Sequence, residues 1–329
     1  MLRLKPFKYL HPSTVEEAAS LAAELDGEAM IVAGGTDLVP KLKRRQMEPS
    51  VLIGIGHLEE LKTIDLRSDG GVAVGAAVTL SEVVDNQYLL QQYPGYVRAA
   101  SLVSSPPLRN LGTIGGNLLV DTRCNYYDMS YEWRQAIGFC LKKDGDICRV
   151  APSSPRCWAV SSSDTAPAAI ALDATVSLVG PNGRREVPVS SLYQDDGMRY
   201  TTKEPYEVVA EVYFPPRPGW RSSYVKLRRR GSIDFPIGGA AVALRIQDGL
   251  VAEARIVLSG VGSHPVIAEE AAACLIGRHL DADAIADAAE RAAKPAKPLD
   301  NTDLSYTWRK RMVKHLVGQA IAEAGGIGA

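Results

Sequence analysis

Long apolar runs are missing from this 329-residue chain. No stretch approaches the eighteen or so residues that a membrane-spanning helix needs, so no membrane role is expected. The start, "MLRLKPFKYLHPSTVEEA", has charges and a proline where a secretory leader has an apolar core. A charge excess is missing too: the formal net charge is −1, which gives nucleic acid or an anionic membrane nothing to recognise. From these absences a cytoplasmic location is expected, where thiols stay reduced and disulfides are not expected. The five histidines are scattered without metal-ligand spacing, and neither a G-x-S-x-G elbow, a G-x-G-x-x-G fingerprint nor a P-loop occurs.

What is there reads as an α+β chain in three parts. Ser13 and Glu16 form an S-x-x-E capping box ahead of a helix whose apolar stripe is Val15, Ala18, Ala19, Ala22 and Leu25. "AMIV" follows as a short buried strand and runs into the turn-forming "AGGTD". A second capping box, Thr79 with Glu82, opens the helix "SEVVDNQYLL" after the small-residue strand "GGVAVGAAV". Strands then dominate in "ATVSLVG", "RREVPV" and "YEVVAEVYF", and "PPRPG" at 215–219 reads as a linker. Beyond it, "FPIGGAAVALRI" and "LVAEARIVLSGVG" pair across the turn "QDG", with Val251, Glu253 and Arg255 on one face and Ala252, Ala254 and Ile256 on the other. The end is helical: "VIAEEAAACLIG", "ADAIADAAERAA", and a last helix with Val313, Leu316, Val317, Ala320 and Ile321 on one face.

Two segments carry candidate chemistry. "IVAGGTDLVP" and "NLGTIGGNLL" both set glycines beside short polar residues, Thr36 in one and Thr113 and Asn117 in the other. Glycine lets a backbone approach a ligand closely, and successive free N–H groups make an anion-binding concavity. The pair has the form of a clamp for the two phosphates of a dinucleotide. Between residues 122 and 160, four of the five cysteines fall in one polar stretch with the spacing C-x15-C-x7-C-x8-C: Cys124, Cys140, Cys148 and Cys157. This is neither a ferredoxin pattern nor a pair of zinc knuckles, so spacing leaves iron–sulfur, zinc and unconnected thiols all open. Tyr126, Tyr127, Tyr131, Trp133 and Trp158 give the stretch aromatic cover, and nearby Lys142, Lys143, Arg149 and Arg156 could tune a metal group there or meet an acidic electron donor, though any one of them reads first as an ordinary solvated loop charge. The basic run Arg228-Arg229-Arg230 reads as well as a strand end as it does a phosphate site. Cys274, at helical spacing from Ile267 and Ala271, reads as a core residue.

"AGGTDLVP" and "LGTIGGNLL", with "SSSDTAPAAIALDATV" and "KLRRRGSIDFPIGGAAVAL", resemble the FAD-binding medium subunits of the xanthine dehydrogenase and carbon monoxide dehydrogenase family of molybdenum hydroxylases. The resemblance implies a two-subdomain FAD-binding (PCMH-like) fold at 1–55 and 56–217, and a C-terminal domain of antiparallel sheet and helices at 218–329. It implies an FAD set of Ile31, Val32, Ala33, Gly34, Gly35, Thr36, Asp37, Leu38, Val103, Thr113, Ile114, Gly115, Gly116, Asn117, Asp164 and Lys226. In that family the two turns wrap the pyrophosphate, the residue at Asp164 contacts the sugar part, and Lys226 would reach the flavin end. No histidine lies near the first turn in sequence, so the FAD is expected to be non-covalent.

The cysteine-bearing insertion, about 122–160, resembles that of the β subunits of 4-hydroxybenzoyl-CoA reductases, whose four cysteines hold a [4Fe–4S] cluster. This resemblance implies that Cys124, Cys140, Cys148 and Cys157 are cluster ligands. It further implies electrons from ferredoxin, a [2Fe–2S] small subunit and a molybdenum large subunit as partners in an (αβγ)2 assembly, and no substrate-binding residues on this chain. An outward-running hydroxylating dehydrogenase and an assembly subunit with structural zinc are the competing expectations.

Overall fold

The structure is a computed structural model that describes residues 3–327. Three sheets follow one another along the chain. The first is parallel, with β1 (Lys8–Leu10), β2 (Ala29–Val32) and β3 (Val51–Gly54) in the order β1-β3-β2. The helix Val15–Glu24 makes the β1-to-β2 crossover and buries Val15, Ala18, Ala19 and Ala22. Its cap is one residue later than the sequence suggests. Thr14 Oγ1 accepts from Glu17 N at 3.1 Å, and Ser13 N donates to Glu17 Oε2 at 2.6 Å. Val15 is fully buried, so the helix has to begin there for its stripe to face inward.

The second sheet is antiparallel: β4 (Ile64–Leu66), β5 (Val72–Gly75), β6 (Thr175–Gly180), β7 (Gly183–Pro188) and β8 (Val208–Phe214), in the order β4-β5-β8-β6-β7. The Thr79–Glu82 capping box is present in both directions. The helix it opens stops at Asp85, because the Asn86 side chain accepts from Leu89 N at 2.9 Å and caps a second helix, Gln87–Gln92. The third sheet holds β9 (Trp220–Leu227), β10 (Gly238–Gln247), β11 (Leu250–Ser259) and β12 (Val266–Ile267), and the 215–219 linker leads into it.

Strict alternation in β11 fails at its start. The register slips between Arg245 and Ile246, so Ala252 is left without a partner and Val251 turns to the same core as Ile256. The "VIAEE" stretch also departs from expectation: Val266–Ile267 is the edge strand β12, and the helix is only Glu269–Ala273. The last helix, Tyr306–Gly325, buries Val313, Leu316, Val317, Ala320 and Ile321 as its periodicity predicts. Each large apolar side chain in that stripe contributes about 1.5–3 kcal/mol through burial. One core cluster joins the second and third sheets, bringing Val212 and Phe214 together with Tyr224, Ala241 and Val257. No described helix is long and apolar enough to cross a membrane.

Candidate functional site

The two glycine turns abut. Ile31 and Val32 end β2, and Ala33, Gly34, Gly35 and Thr36 form the turn. Asp37 precedes the helix Leu38–Lys43, which starts at Leu38. A Cβ on Gly34 would overlap the Leu111 carbonyl, and one on Gly112 would sit 3.4 Å from Thr36 Oγ1. Gly35 has φ of +68°, a conformation glycine adopts without strain. The amides of Gly34, Gly35, Thr36 and Asp37 donate to no acceptor among the described residues. Four successive free N–H groups have the character of an anion nest.

The second turn differs. Thr113 caps the short helix Ile114–Leu118, its Oγ1 accepting from Gly116 N at 3.1 Å. Ile114 N donates to Val78 O and Gly115 N to Ala76 O, both at 3.0 Å. Gly115 is small because Ala76 is close, a Cβ there falling 2.8 Å from Ala76 Cβ. Asn117 Oδ1 accepts from Thr165 Oγ1 at 2.7 Å, Thr165 N at 3.2 Å and Ser163 Oγ at 3.1 Å. The second turn therefore uses its amides internally and leaves Gly116 exposed, while the first turn keeps its amides free.

Asp164 and Lys226 meet each other. Lys226 Nζ donates to Asp164 Oδ2 at 2.8 Å, and the two side chains are 0% and 3% exposed for Lys226 and Asp164 respectively. Tyr224 donates to Asp164 Oδ1 at 2.8 Å, and Lys226 also reaches Leu102 O and Asp234 O. Burial pushes the Asp164 carboxyl up, against the pull of Lys226. Sequence reading expects both to reach the flavin; in the structure the pair ties the start of the helix Thr165–Ala171 to β9. Val103, half-buried, is the residue after the Leu102 carbonyl that Lys226 holds. Gly56 lies beside the first turn, its ideal Cβ 3.4 Å from Ala33 O, and the next residue is His57. Its Nε2 is 2.9 Å from Pro12 O.

The cysteine stretch has little regular structure beyond the helix Tyr131–Ala136, and other parts of the chain hold it. Gln46 Nε2 donates to Tyr127 O at 2.6 Å, and Arg134 donates to Arg44 O and Arg45 O at 2.8 and 3.0 Å. From the C-terminal side, Asn125 N donates to Asn301 O at 2.8 Å and Asn301 Nδ2 to Trp158 O at 2.6 Å. Cys124, Cys140, Cys148 and Cys157 are all buried and free, and all four line one cavity of about 10 Å³. Tyr126, Tyr127, Leu141, Lys142, Arg149, Val150 and Ala159 complete its wall. Trp133 is instead exposed, and Trp158 stacks on Arg156. Burial pushes the Cys124 thiol up to about 12 and the Cys157 thiol to about 11, so without a cation each stays protonated. Among the described residues, no three His, Cys, Asp or Glu side chains gather tightly enough for a single metal ion.

A cluster of charge that sequence reading missed lies beside this cavity: Lys142 and Lys41 both pair with Asp121, at 2.6 and 3.1 Å. Nothing in the spacing of these residues signals it. In the Arg228–Arg230 run, half-buried Arg228 reaches Leu102 O, while Arg229 and Arg230 stay exposed, on Asp303 and on Ile233 O. Cys274 ends the helix Glu269–Ala273 half-exposed at the edge of its core rather than buried in it.

Residues 5–217 match the FAD-binding domain of molybdopterin dehydrogenases and residues 222–324 the C-terminal domain of carbon monoxide dehydrogenase flavoproteins. The chain belongs to this family of FAD-binding molybdopterin dehydrogenase subunits. It is 28% identical to the carbon monoxide dehydrogenase medium chain of Hydrogenophaga pseudoflava, covering 97% of this chain and 96% of that one. It is 30% identical to an aldehyde oxidoreductase FAD-binding subunit of Escherichia coli K12, over 98% and 99% of the two chains. The solved carbon monoxide dehydrogenase of H. pseudoflava that lacks the Mo-pyranopterin moiety superposes with a TM-score of 0.81 at 28% identity, over 99% of this chain and 100% of that chain.

Proposed function

We propose that this chain is the FAD- and [4Fe–4S]-binding electron-transfer subunit of a molybdenum enzyme that removes the phenolic hydroxyl of 4-hydroxybenzoyl-CoA. The observation that carries this reading is four buried thiols, from a span of 34 residues, lining one cavity in a family FAD-binding subunit. The donor set fits an iron–sulfur group: only sulfurs converge there, with no carboxylate or imidazole in the wall. The cavity as it stands has room for about one water. Seating a cluster therefore requires the cavity to widen. A single zinc would instead need the sulfurs drawn to roughly 4 Å of one another around bonds of about 2.3 Å.

FAD and the cluster, when bound, would supply one- and two-electron chemistry between ferredoxin and the [2Fe–2S] small and molybdenum large subunits. This chain's own residues bind and orient. Cys124, Cys140, Cys148 and Cys157 would hold the cluster as thiolates, whose charge the metal stabilises against burial. The free amides at Gly34–Asp37 would receive the pyrophosphate, with Ile31, Val32, Ala33 and Leu38 shaping the approach. Thr113, Ile114, Gly115, Gly116, Asn117 and Val103 would form the opposite wall. The Asp164–Lys226 pair would hold the third domain against it, the domains being 1–55, 56–217 and 218–329.

The test is an anaerobic assay of the (αβγ)2 complex with reduced ferredoxin and 4-hydroxybenzoyl-CoA. Benzoyl-CoA formation supports the reading. Turnover only in the oxidising direction, hydroxylating a substrate and reducing an acceptor, would replace it with the dehydrogenase reading that the relatives' names favour.

A further inference from the structure

The cations around the cysteine cavity are not equivalent. Arg149 lines the cavity, but its guanidinium donates to the carbonyls of Phe139 and Ile137. Lys142 lines it too, and its side chain is 6% exposed. Three acceptors fix its ammonium: Asp121 Oδ1 at 2.6 Å, Thr122 Oγ1 at 2.7 Å and Gly197 O at 2.5 Å. The other oxygen of Asp121 meets Lys41 Nζ at 3.1 Å, and Lys41 belongs to the helix that follows the first glycine turn. Both ammonium groups stand over the Tyr127 ring, Lys41 at 5.0 Å and Lys142 at 4.9 Å, and that ring is part of the cavity wall.

Two buried cations thus share one buried carboxylate. Asp128 does not offset them, since its oxygens face Arg123 at 3.3 Å and Arg44 at 3.9 Å. Asp37 does not close the balance on the Lys142 side; it lies near Lys41, and burial pushes its carboxyl up. Charge removed from water needs a counter-charge close by. Lys142 lines the same cavity as the four cysteines, and no carboxylate is part of that wall.

We propose that Lys142, held in place by Asp121, is the charge-compensating positioning residue for the iron–thiolate group on Cys124, Cys140, Cys148 and Cys157. The proposal rests on the cluster reading given under Proposed function. One-electron reduction adds one negative charge to that group, the electron coming from the reductant and no proton being taken up. A fixed cation beside it favours the reduced form, and a fixed anion beside the cation weakens that effect. Lys142 and Asp121 therefore act in opposite directions, with Lys41 a more distant contributor on the side of Lys142.

The experiment is an anaerobic dithionite titration of the full complex followed by EPR, with iron, sulfide and FAD counted in every sample. Lys142→Met is expected to weaken reduction about tenfold, which is about 59 mV to lower potential for one electron. Lys142→Arg should stay near wild type, Asp121→Asn should move to higher potential, and Lys41→Met should move down by less than Lys142→Met. A Lys142→Met complex with full iron and sulfide and the wild-type potential overturns the proposal. Should that variant not hold its iron, Asp121→Asn decides, and a potential at or below wild type overturns it. Wild-type complex with no iron and sulfide beyond those of the partner subunit's [2Fe–2S] centres ends the cluster reading and this proposal together, and the metal count shows that before any potential is read.

Discussion

At the first glycine turn the chain works with its backbone; at the cysteine cavity it works with side chains. The turn sits between β2 and a short helix, and its features are four free amides, one positive φ and a backbone approach to Leu111. The cavity sits in a stretch with one six-residue helix and is held by Gln46, Arg134 and Asn301 from distant parts of the chain. Backbone sites depend on what is absent, namely a Cβ or an internal acceptor. Side-chain sites depend on residues that meet only once the fold is complete. The same contrast separates the two glycine turns, since the second uses its amides on Ala76 and Val78 and acts through Thr113 and Asn117.

The largest way to break the comparison lies in the pair that ties the start of the helix Thr165–Ala171 to β9. Lys226→Met leaves Asp164 buried without its cation, and a loss of about 3–5 kcal/mol is expected in denaturant unfolding. Asp164→Asn together with Lys226→Met should cost less than Lys226→Met alone. A smaller loss than about 1 kcal/mol for the single variant would show that Tyr224 suffices as partner.

Next is Gly34→Ala, which forces the two turns apart and should cost about 3 kcal/mol with loss of bound FAD. Gly116→Ala, whose Cβ would meet only Thr113 Oγ1 at 3.1 Å, should keep the fold and lower bound FAD by less than Gly34→Ala. Cys140→Ser sharpens the contrast from the other side. Iron and sulfide should be lost while FAD stays at the wild-type ratio, because the two sites use different parts of the chain.

Acid titration probes the charge cluster between them. Burial opposes the Asp121 charge, but Lys142 and Lys41 overcome it and hold the carboxyl below its ordinary value. A lowered carboxyl contributes stability that is present above its unfolded value of about 4 and is lost as pH falls through its folded value. Unfolding curves between pH 6 and pH 3 should steepen on the acid side in wild type and flatten there in Asp121→Asn. The smallest effect belongs to Cys274→Ser, half-exposed at a helix end: a change under about 1 kcal/mol and no change in iron.

Much of this was legible in the sequence where one periodicity or one local motif governs. The Val313–Ile321 stripe, the Thr79–Glu82 box and the β10–β11 hairpin are of that kind. The first helix cap slipped by a residue because Ser13 and Thr14 offer similar caps, and burial of Val15 chose between them. The unpaired Ala252 in β11 and the edge strand at Val266 depend on pairing partners, which local pattern does not reveal. The glycine turns look alike as strings, and only the fold separates free amides from used ones. Lys41, Asp121 and Lys142 lie far apart in sequence and carry no motif, so their meeting is visible only in three dimensions.

The central claim is that the four cysteines act as one ligand set beside an independent flavin site. Counting iron, acid-labile sulfide, zinc and FAD in the anaerobically purified complex tests it most directly. The account predicts about four irons and four sulfides from this chain per FAD, lost together in Cys140→Ser. In the complex, the [2Fe–2S] centres of the partner subunit remain in that variant and give the baseline for the count. FAD with no iron difference between wild type and Cys140→Ser, or zinc in place of iron, would contradict it.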